Sequence, residues 1–181
     1  MTDFKFCPRC AAPLTGRGSL KDIDIAVESS PLLVCSLACG FVHYDNPIPI
    51  VAVVVEYQGK VVLAHNRAWE QPFYGVITGF VDRGESPEQC AVREAKEELN
   101  LDAKPATLVG VYPSTAMNQI IIGYHVEATG EIALNEELDD FKLVSPEKCI
   151  APNVGTGYVL RDWLRSKGIE AKMFTISMRK E

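Results

Sequence analysis

Arg93, Glu94, Glu97 and Glu98 fall close together in GFVDRGESPEQCAVREAKEELN, residues 79–100. On a helix, Glu94 and Glu98 lie one turn apart on one face, and Glu97 flanks the same patch. Exposed like charges at that spacing repel by roughly 0.2–0.5 kcal/mol. The charge is therefore left to solvent, offset or used. Arg93 can reach Glu97 at i,i+4 and orient it, leaving the other two carboxylates without a counter-charge. Bound Mg2+ or Mn2+ would supply one, because hard divalent cations prefer several carboxylate oxygens and waters. A solvated acidic helix face is the plain alternative. Glu85 weighs against it, standing at the end of a glycine-bounded loop, where it can reach the same ion or brace the loop through backbone amides. Gly79 and Gly84 permit turns or close approach there.

A second constellation is Cys7 and Cys10 in CPRC, with Cys35 and Cys39 in CSLAC. The surrounding region is polar and turn-rich and lacks the apolar mass for a core. A tetrahedral thiolate site would tie it together, and four sulfurs leave no position for water, so Zn2+ here would be structural. A redox pair at CPRC competes with this, although the motif neither follows a strand nor opens a helix. Four buried thiols are the other alternative. His43 is a possible substitute ligand. Cys90 and Cys149 stand alone and read as core residues.

The elements that must position these groups are legible in outline. Ser86 suits a helix cap, Pro87 the first turn and Gln89 the reciprocal capping position. Cys90 or Ala91, with Ala95 and Leu99, supplies a narrow apolar side that lets the helix sit close to a sheet. DNPIPI at 45–50 favours an extended connector, dividing the chain into 1–45 and 46–181. Beyond it VAVVVEY, KVVLAHN, the run around YGVITGF, ATLVGVY, IIIGYHVEA and the shorter FKLVSP read as strands, with YQGK a hairpin turn. YVLRDWLRSKG is an amphipathic helix stopping at Gly168, and AKMFTISM returns as a final edge strand. Strands outnumber helices, and the two helices interrupt a mixed sheet, predicting an α+β or layered sandwich domain.

With 181 residues, 47% of them apolar, the chain suffices for one core and a small appendage. The formal charge of -6 argues against duplex nucleic acid. Acidity does not exclude phosphate substrates, since a divalent ion can bridge carboxylates to phosphate. No signal-peptide pattern or apolar run of membrane-spanning length is present, so a cytoplasmic setting with no membrane partner and reduced cysteines is expected.

Residues 79–101 resemble the Nudix box, G-x5-E-x7-R-E-U-x-E-E-x-G-U with U aliphatic. Gly79, Glu85, Arg93, Glu94, Glu97, Glu98 and Leu101 match it. Ala95 is smaller than the usual aliphatic, and Asn100 replaces the last glycine while remaining able to end a helix. The resemblance implies a Nudix-type α/β/α sandwich over about 46–150. It also implies divalent-metal-dependent hydrolysis of a nucleoside diphosphate linked to another group, with Glu94, Glu97 and Glu98 as metal ligands. Arg93 would belong to the catalytic set, Glu85 is a further candidate ligand, and Glu98 is the first choice for activating water. In LNEELDDF, Glu136 best matches the extra acidic ligand of zinc-ribbon relatives; for Glu136 and Glu137 a solvated turn is the alternative.

The amino-terminal cysteines and aromatic-to-proline connector are similar to the zinc ribbon of NADH pyrophosphatases and certain ADP-ribose/FAD pyrophosphatases. The S-Q-P-W-P-F-P-x-S stretch that marks the NADH group is reduced to traces in GVYPSTAMNQ. ADP-ribose, FAD or a related dinucleotide is then expected as the small nucleotide substrate, with a possible homodimer implied by the family. Tyr74, Tyr112, Trp69 and Phe73 can stack on a base or pack in the core. Arg67 can meet a phosphate or be an exposed strand-end charge. A nucleoside triphosphate sanitising enzyme and a non-catalytic nucleotide-binding module are the alternative functions.

Overall fold

A computed structural model describes residues 4–17, 32–70 and 72–175. The chain divides into two compact units, Met1–Asn46 and Pro47–Glu181. In the smaller unit, β1 (Leu14–Arg17), β2 (Leu32–Cys35) and β3 (Val42–His43) form an antiparallel sheet in that order. Among the described residues its small core consists of Cys7, Ala12 and Cys35, flanked by Leu14 and Phe41.

The larger unit is built on β4 (Ile48–Tyr57). Val51, Val53 and Val55 face one side of the sheet, and Ile50, Ala52 and Val54 face the other. The run is apolar throughout because this central strand is covered on both faces. β4 turns into β5 (Lys60–Asn66) through Gln58 and Gly59, whose φ values of 51° and 71° suit a tight hairpin. β6 (Ile77–Phe80) pairs with the first half of β4 and leads into α1 (Pro87–Leu99). β7 (Asp102–Ala103), β8 (Thr107–Ser114), β9 (Gln119–Thr129) and β10 (Leu138–Val144) complete the sheet. Its path runs β10-β5-β4-β9-β7, with β6 beside β4 and β8 beside β9. β4 and β9 run parallel, so the sheet is mixed as expected.

The two helices cover opposite faces. α1 buries Cys90, Ala91, Ala95 and Leu99 against the Val51, Val53 and Val55 side. α2 (Gly157–Ser166) buries Val159, Leu160, Trp163 and Leu164 against the other. The result is a sheet between two helical layers. Close seating of α2 requires Gly123 on β9, where an added Cβ would stand 2.5 Å from Val159 Cγ1.

The structure corrects several boundaries. The strand expected around 74–80 begins at Ile77, and Gly75 makes only an isolated bridge to Ala64. α2 ends at Ser166, before Gly168. The last strand, β12 (Lys172–Phe174), does not edge the main sheet; it pairs parallel with β11 (Ile150–Pro152), which the sequence reading missed. The part of that expected strand beyond Thr175 lies outside the described residues. β7 was missed as well, being too short for an alternation to register.

Gly123→Ala should cost about 1–3 kcal/mol by overpacking, measured by urea unfolding. Val159→Ala in the same chain should recover part of the loss.

Candidate active site

α1 begins as its sequence directs. Gln89 N donates to Ser86 Oγ at 3.2 Å, and Ser86 N donates to Gln89 Oε1 at 2.8 Å. It ends at Asn100, whose φ of 59° and ψ of 18° make the left-handed cap. Between these caps Glu94 and Glu98 are 8% and 6% exposed, so these two are not part of a solvated face, while Glu97 is exposed beside them. β6 gives way to Glu94 at Gly79, where a Cβ would lie 1.8 Å from Glu94 Oε1.

Arg93 organises the surrounding charge. Its Nε and Nη2 donate to the two Glu85 oxygens at 3.1 and 2.8 Å. Nη1 donates to Glu94 Oε1 and Glu97 Oε2, each at 2.8 Å. Nη2 also reaches the Phe80 carbonyl at 3.1 Å. The expectation that Arg93 serves Glu97 without neutralising Glu94 is therefore corrected. One planar fork holds three carboxylates, a geometry that lysine cannot reproduce.

These contacts separate the acids electrostatically. Arg93, assisted by the Asp82 amide at 2.8 Å, holds the Glu85 carboxyl down at about 2. Burial raises Glu94. Glu98 is pushed up to about 8, first by burial and then by the charges of Glu94, Glu137 and Glu97, with no hydrogen bond to relieve it. A desolvated carboxylate among like charges is a strong ligand for a hard cation, because the ion removes both penalties together.

An open cavity of about 230 Å3 lies beside these groups, lined by Gly79, Phe80, Asp82, Arg93, Glu94, Glu97 and Glu137. A water occupies roughly 30 Å3, so the cavity has room for hydrated ions and a pyrophosphate. Four of its lining side chains are acidic, a donor set that fits Mg2+ or Mn2+.

Some expected residues are elsewhere. Both Glu85 oxygens accept hydrogen bonds from Arg93 and Asp82, so Glu85 braces the loop, and it is not among the residues lining the cavity. Glu137, not Glu136, lines the cavity. The reason is local: Asn135 Oδ1 accepts from Glu137 N at 3.0 Å, and the Glu137 carbonyl accepts from Arg67 N at 2.8 Å. That Asx turn after LN was the missed signal. Arg67 is exposed beside Glu137.

Tyr74 and Tyr112 do not line the acidic cavity. Tyr74 donates its hydroxyl to Asp140 and carries Lys142 Nζ 3.6 Å above its ring. Tyr112 donates to Asp162 at 2.9 Å and packs against the α2-side core. Trp69 and Phe73 pack on one another with centroids 5.2 Å apart. The aromatic at the cavity is Phe80, 58% exposed, which the sequence reading treated only as part of a strand.

In the smaller unit the four cysteine sulfurs lie within 4.8 Å of one another. Tetrahedral zinc with bonds near 2.3 Å requires sulfur separations of about 3.8 Å. Cys7 to Cys39 is 3.5 Å and Cys10 to Cys35 is 3.4 Å, so the set fits the ion. The Cys39 backbone N–H draws the Cys35 thiol down to about 6, while the Cys35 side chain pushes its neighbour Cys10 up to about 12.

The NUDIX domain family model matches residues 46–164. The chain belongs to the Nudix hydrolase family. Among curated proteins it is 30% identical over 162 residues to the NAD-capped RNA hydrolase NudC of Vibrio vulnificus, covering 87% of this chain and 56% of that one. The NAD-capped RNA hydrolase NudC of Stutzerimonas stutzeri is 29% identical over 142 residues, 77% of this chain and 48% of its own. The chain thus spans about half the length of the curated relatives it matches. A NUDIX hydrolase crystal structure from Nitrosomonas europaea shares the fold with a TM-score of 0.73 at 24% identity, covering 96% of this chain and all of that one. Among the described residues, no helix is long and apolar enough to cross a membrane.

The raised Glu98 carboxyl predicts a pH dependence. The fold favours its neutral form, so this contribution to stability is present below the unfolded value near 4.5 and lost as pH rises through about 8. Metal-free Glu98→Gln protein should therefore melt higher than wild type at pH 8, and Mg2+ should narrow the difference. A lower melting point for the variant at that pH would contradict it.

Glu137→Gln should weaken Mn2+ binding about tenfold or more by calorimetry, while Glu136→Gln should leave it within about twofold. The reverse order would restore Glu136 as the ligand.

Proposed function

We propose that this chain is a divalent-metal-dependent pyrophosphatase acting on a dinucleotide or nucleoside diphosphate derivative, with ADP-ribose, FAD and NADH-type molecules as the substrate class. The observation that carries this reading is the pair of buried glutamates, Glu94 and Glu98, beside an open acidic cavity. The names of the Vibrio and Stutzerimonas relatives support an NAD-type pyrophosphate, attached to RNA in their case.

Glu94, Glu97, Glu98 and Glu137 would hold the ions. Mg2+ or Mn2+, when bound, neutralises phosphoryl oxygens and makes water more acidic. Glu98, the most desolvated of these acids, would accept the proton of the attacking water or orient it. Arg93 keeps Glu94 and Glu97 oriented, and Glu85 fixes the loop through Asp82. Phe80 offers a ring face for a base or nicotinamide, and Arg67 a guanidinium for phosphate. The chain's residues thus bind, orient and move one proton, and cleavage yields two monophosphate-bearing products.

The test is a mass-spectrometric product screen with Mg2+ or Mn2+ against NADH, ADP-ribose, FAD and nucleoside triphosphates. AMP plus the matching monophosphate is expected from a dinucleotide. Glu98→Gln should lower kcat by roughly 10²–10⁴ without unfolding the protein. Pyrophosphate released from triphosphates would indicate a sanitising enzyme instead, and no turnover would indicate a binding module.

The Cys7, Cys10, Cys35 and Cys39 cluster is proposed as a structural zinc ribbon. One zinc per chain is expected by elemental analysis, and chelation should expose these four thiols while leaving the larger unit folded. Zinc-free protein with all four thiols freely reactive would overturn the ribbon.

A further inference from the structure

The four cysteines of the smaller unit differ in access. Cys7 and Cys35 are buried, at 2% and 6% exposed, while Cys10 and Cys39 are exposed. Two pairs of sulfurs are in contact: Cys7 with Cys39 at 3.5 Å, and Cys10 with Cys35 at 3.4 Å. Each pair joins one buried sulfur to one exposed sulfur, and each crosses from CPRC to CSLAC. The two remaining thiols contrast with these. Cys90 and Cys149 are buried in the larger unit, and burial pushes them up to about 12 and about 11, so they stay protonated and out of reach.

Peroxides oxidise cysteines that are both ionised and accessible. A sulfur that holds zinc is a thiolate, so in the zinc-loaded cluster Cys10 and Cys39 meet both conditions. Each also has a buried sulfur against it, in position to complete a disulfide. Resting on the structural zinc reading above, we propose that the cysteine cluster is also a site of oxidation by hydrogen peroxide, in which the disulfides Cys7–Cys39 and Cys10–Cys35 reversibly replace the metal.

The chemistry balances within each pair. The exposed thiolate attacks a peroxide oxygen; an S–O bond forms as the O–O bond breaks, giving a sulfenic acid and hydroxide. The buried thiolate then attacks that sulfur, the S–S bond forms, and a second hydroxide leaves. Together the two sulfurs lose two electrons and the peroxide gains them, so one peroxide is consumed per disulfide. Each disulfide removes two donors from the ligand set and so frees the ion.

The crossed pairing decides what happens to the fold. Disulfides within CPRC and within CSLAC would close two small loops and leave the two segments unconnected. Crossed disulfides tie residues 7–10 to residues 35–39, which is the connection a shared metal makes. They also reinforce the antiparallel register in which Leu14 of β1 faces Cys35 of β2. The oxidised unit therefore keeps its structure without zinc.

The experiment titrates zinc-loaded, full-length protein with hydrogen peroxide, follows zinc release with a colorimetric chelator, and maps disulfides by mass spectrometry after free thiols are blocked. Trypsin and chymotrypsin together cleave after Arg9, Arg17 and Leu37, which places the four cysteines on separate peptides. About one zinc should be released per two peroxides consumed. The linked peptides should be those of Cys7 with Cys39 and Cys10 with Cys35, with Cys90 and Cys149 recovered as blocked thiols. Hydrogen exchange at Leu32–Cys35 should stay slower than in reduced, chelator-stripped protein, and dithiothreitol with Zn2+ should restore one zinc per chain. Disulfides within CPRC or CSLAC, sulfinic or sulfonic acids at Cys10 and Cys39, or zinc retained through the titration would each overturn this proposal and leave the ribbon reading standing. Protein that purifies without zinc and with all four thiols freely reactive overturns both.

Discussion

Every donor direction of one guanidinium is spent at the centre of the site. Arg93 joins Glu85 from the loop, Glu94 and Glu97 from its own helix, and the Phe80 carbonyl at the end of β6. Loop, helix and strand thus share one charged hub. Without it, three carboxylates would face one another in a partly desolvated space, where repulsion is far less screened than in water. The arrangement leaves one acid unserved. Glu98, a turn beyond Glu94, has neither a cation nor a donor, and its neutral form is favoured up to about 8. Stability is given up at the position where a divalent ion would recover it.

The rest of the fold makes this concentration of charge tolerable. β4 is buried on both faces and fixes the sheet, while α1 approaches it through Cys90, Ala91 and Ala95. Small residues allow that approach, and Gly79 opens the space Glu94 occupies. α2 covers the other face, with Gly123 beneath Val159 performing the same service. The cysteine cluster of the smaller unit follows a different logic. Among the described residues its core is Cys7, Ala12 and Cys35, and its four thiols are close enough to hold one metal ion.

Much of this was legible in the sequence because it is written in local rules. Ser86, Pro87 and Gln89 announced the start of α1, and Asn100 its end; the structure realises both caps. The continuous apolar run of β4, the turn at Gln58–Gly59 and the mixed sheet followed from strand composition and turn residues. What remained hidden depended on long-range packing. Arg93 was expected to reach only Glu97, because helix spacing says nothing of how Glu94 bends back along the same face. Glu136 was preferred to Glu137, because a one-residue choice in a turn is set by the Asn135 side chain and the β5 backbone. Tyr74 and Tyr112 do not line the acidic cavity, and their hydroxyls bond Asp140 and Asp162, contacts that helix and strand periodicity cannot foretell. β11 was not legible because three residues cannot display a period, and with it went the partner that β12 pairs with.

The central claim is that Arg93 and the buried glutamates form a divalent metal site. Its most direct test is a crystal soaked in Mn2+ and measured at a wavelength where manganese scatters anomalously. The account predicts at least one anomalous peak within coordination distance, about 2.0–2.3 Å, of oxygens from Glu94, Glu98 or Glu137. A fully soaked crystal with no peak in that cavity, or with manganese bound only elsewhere on the chain, would contradict it.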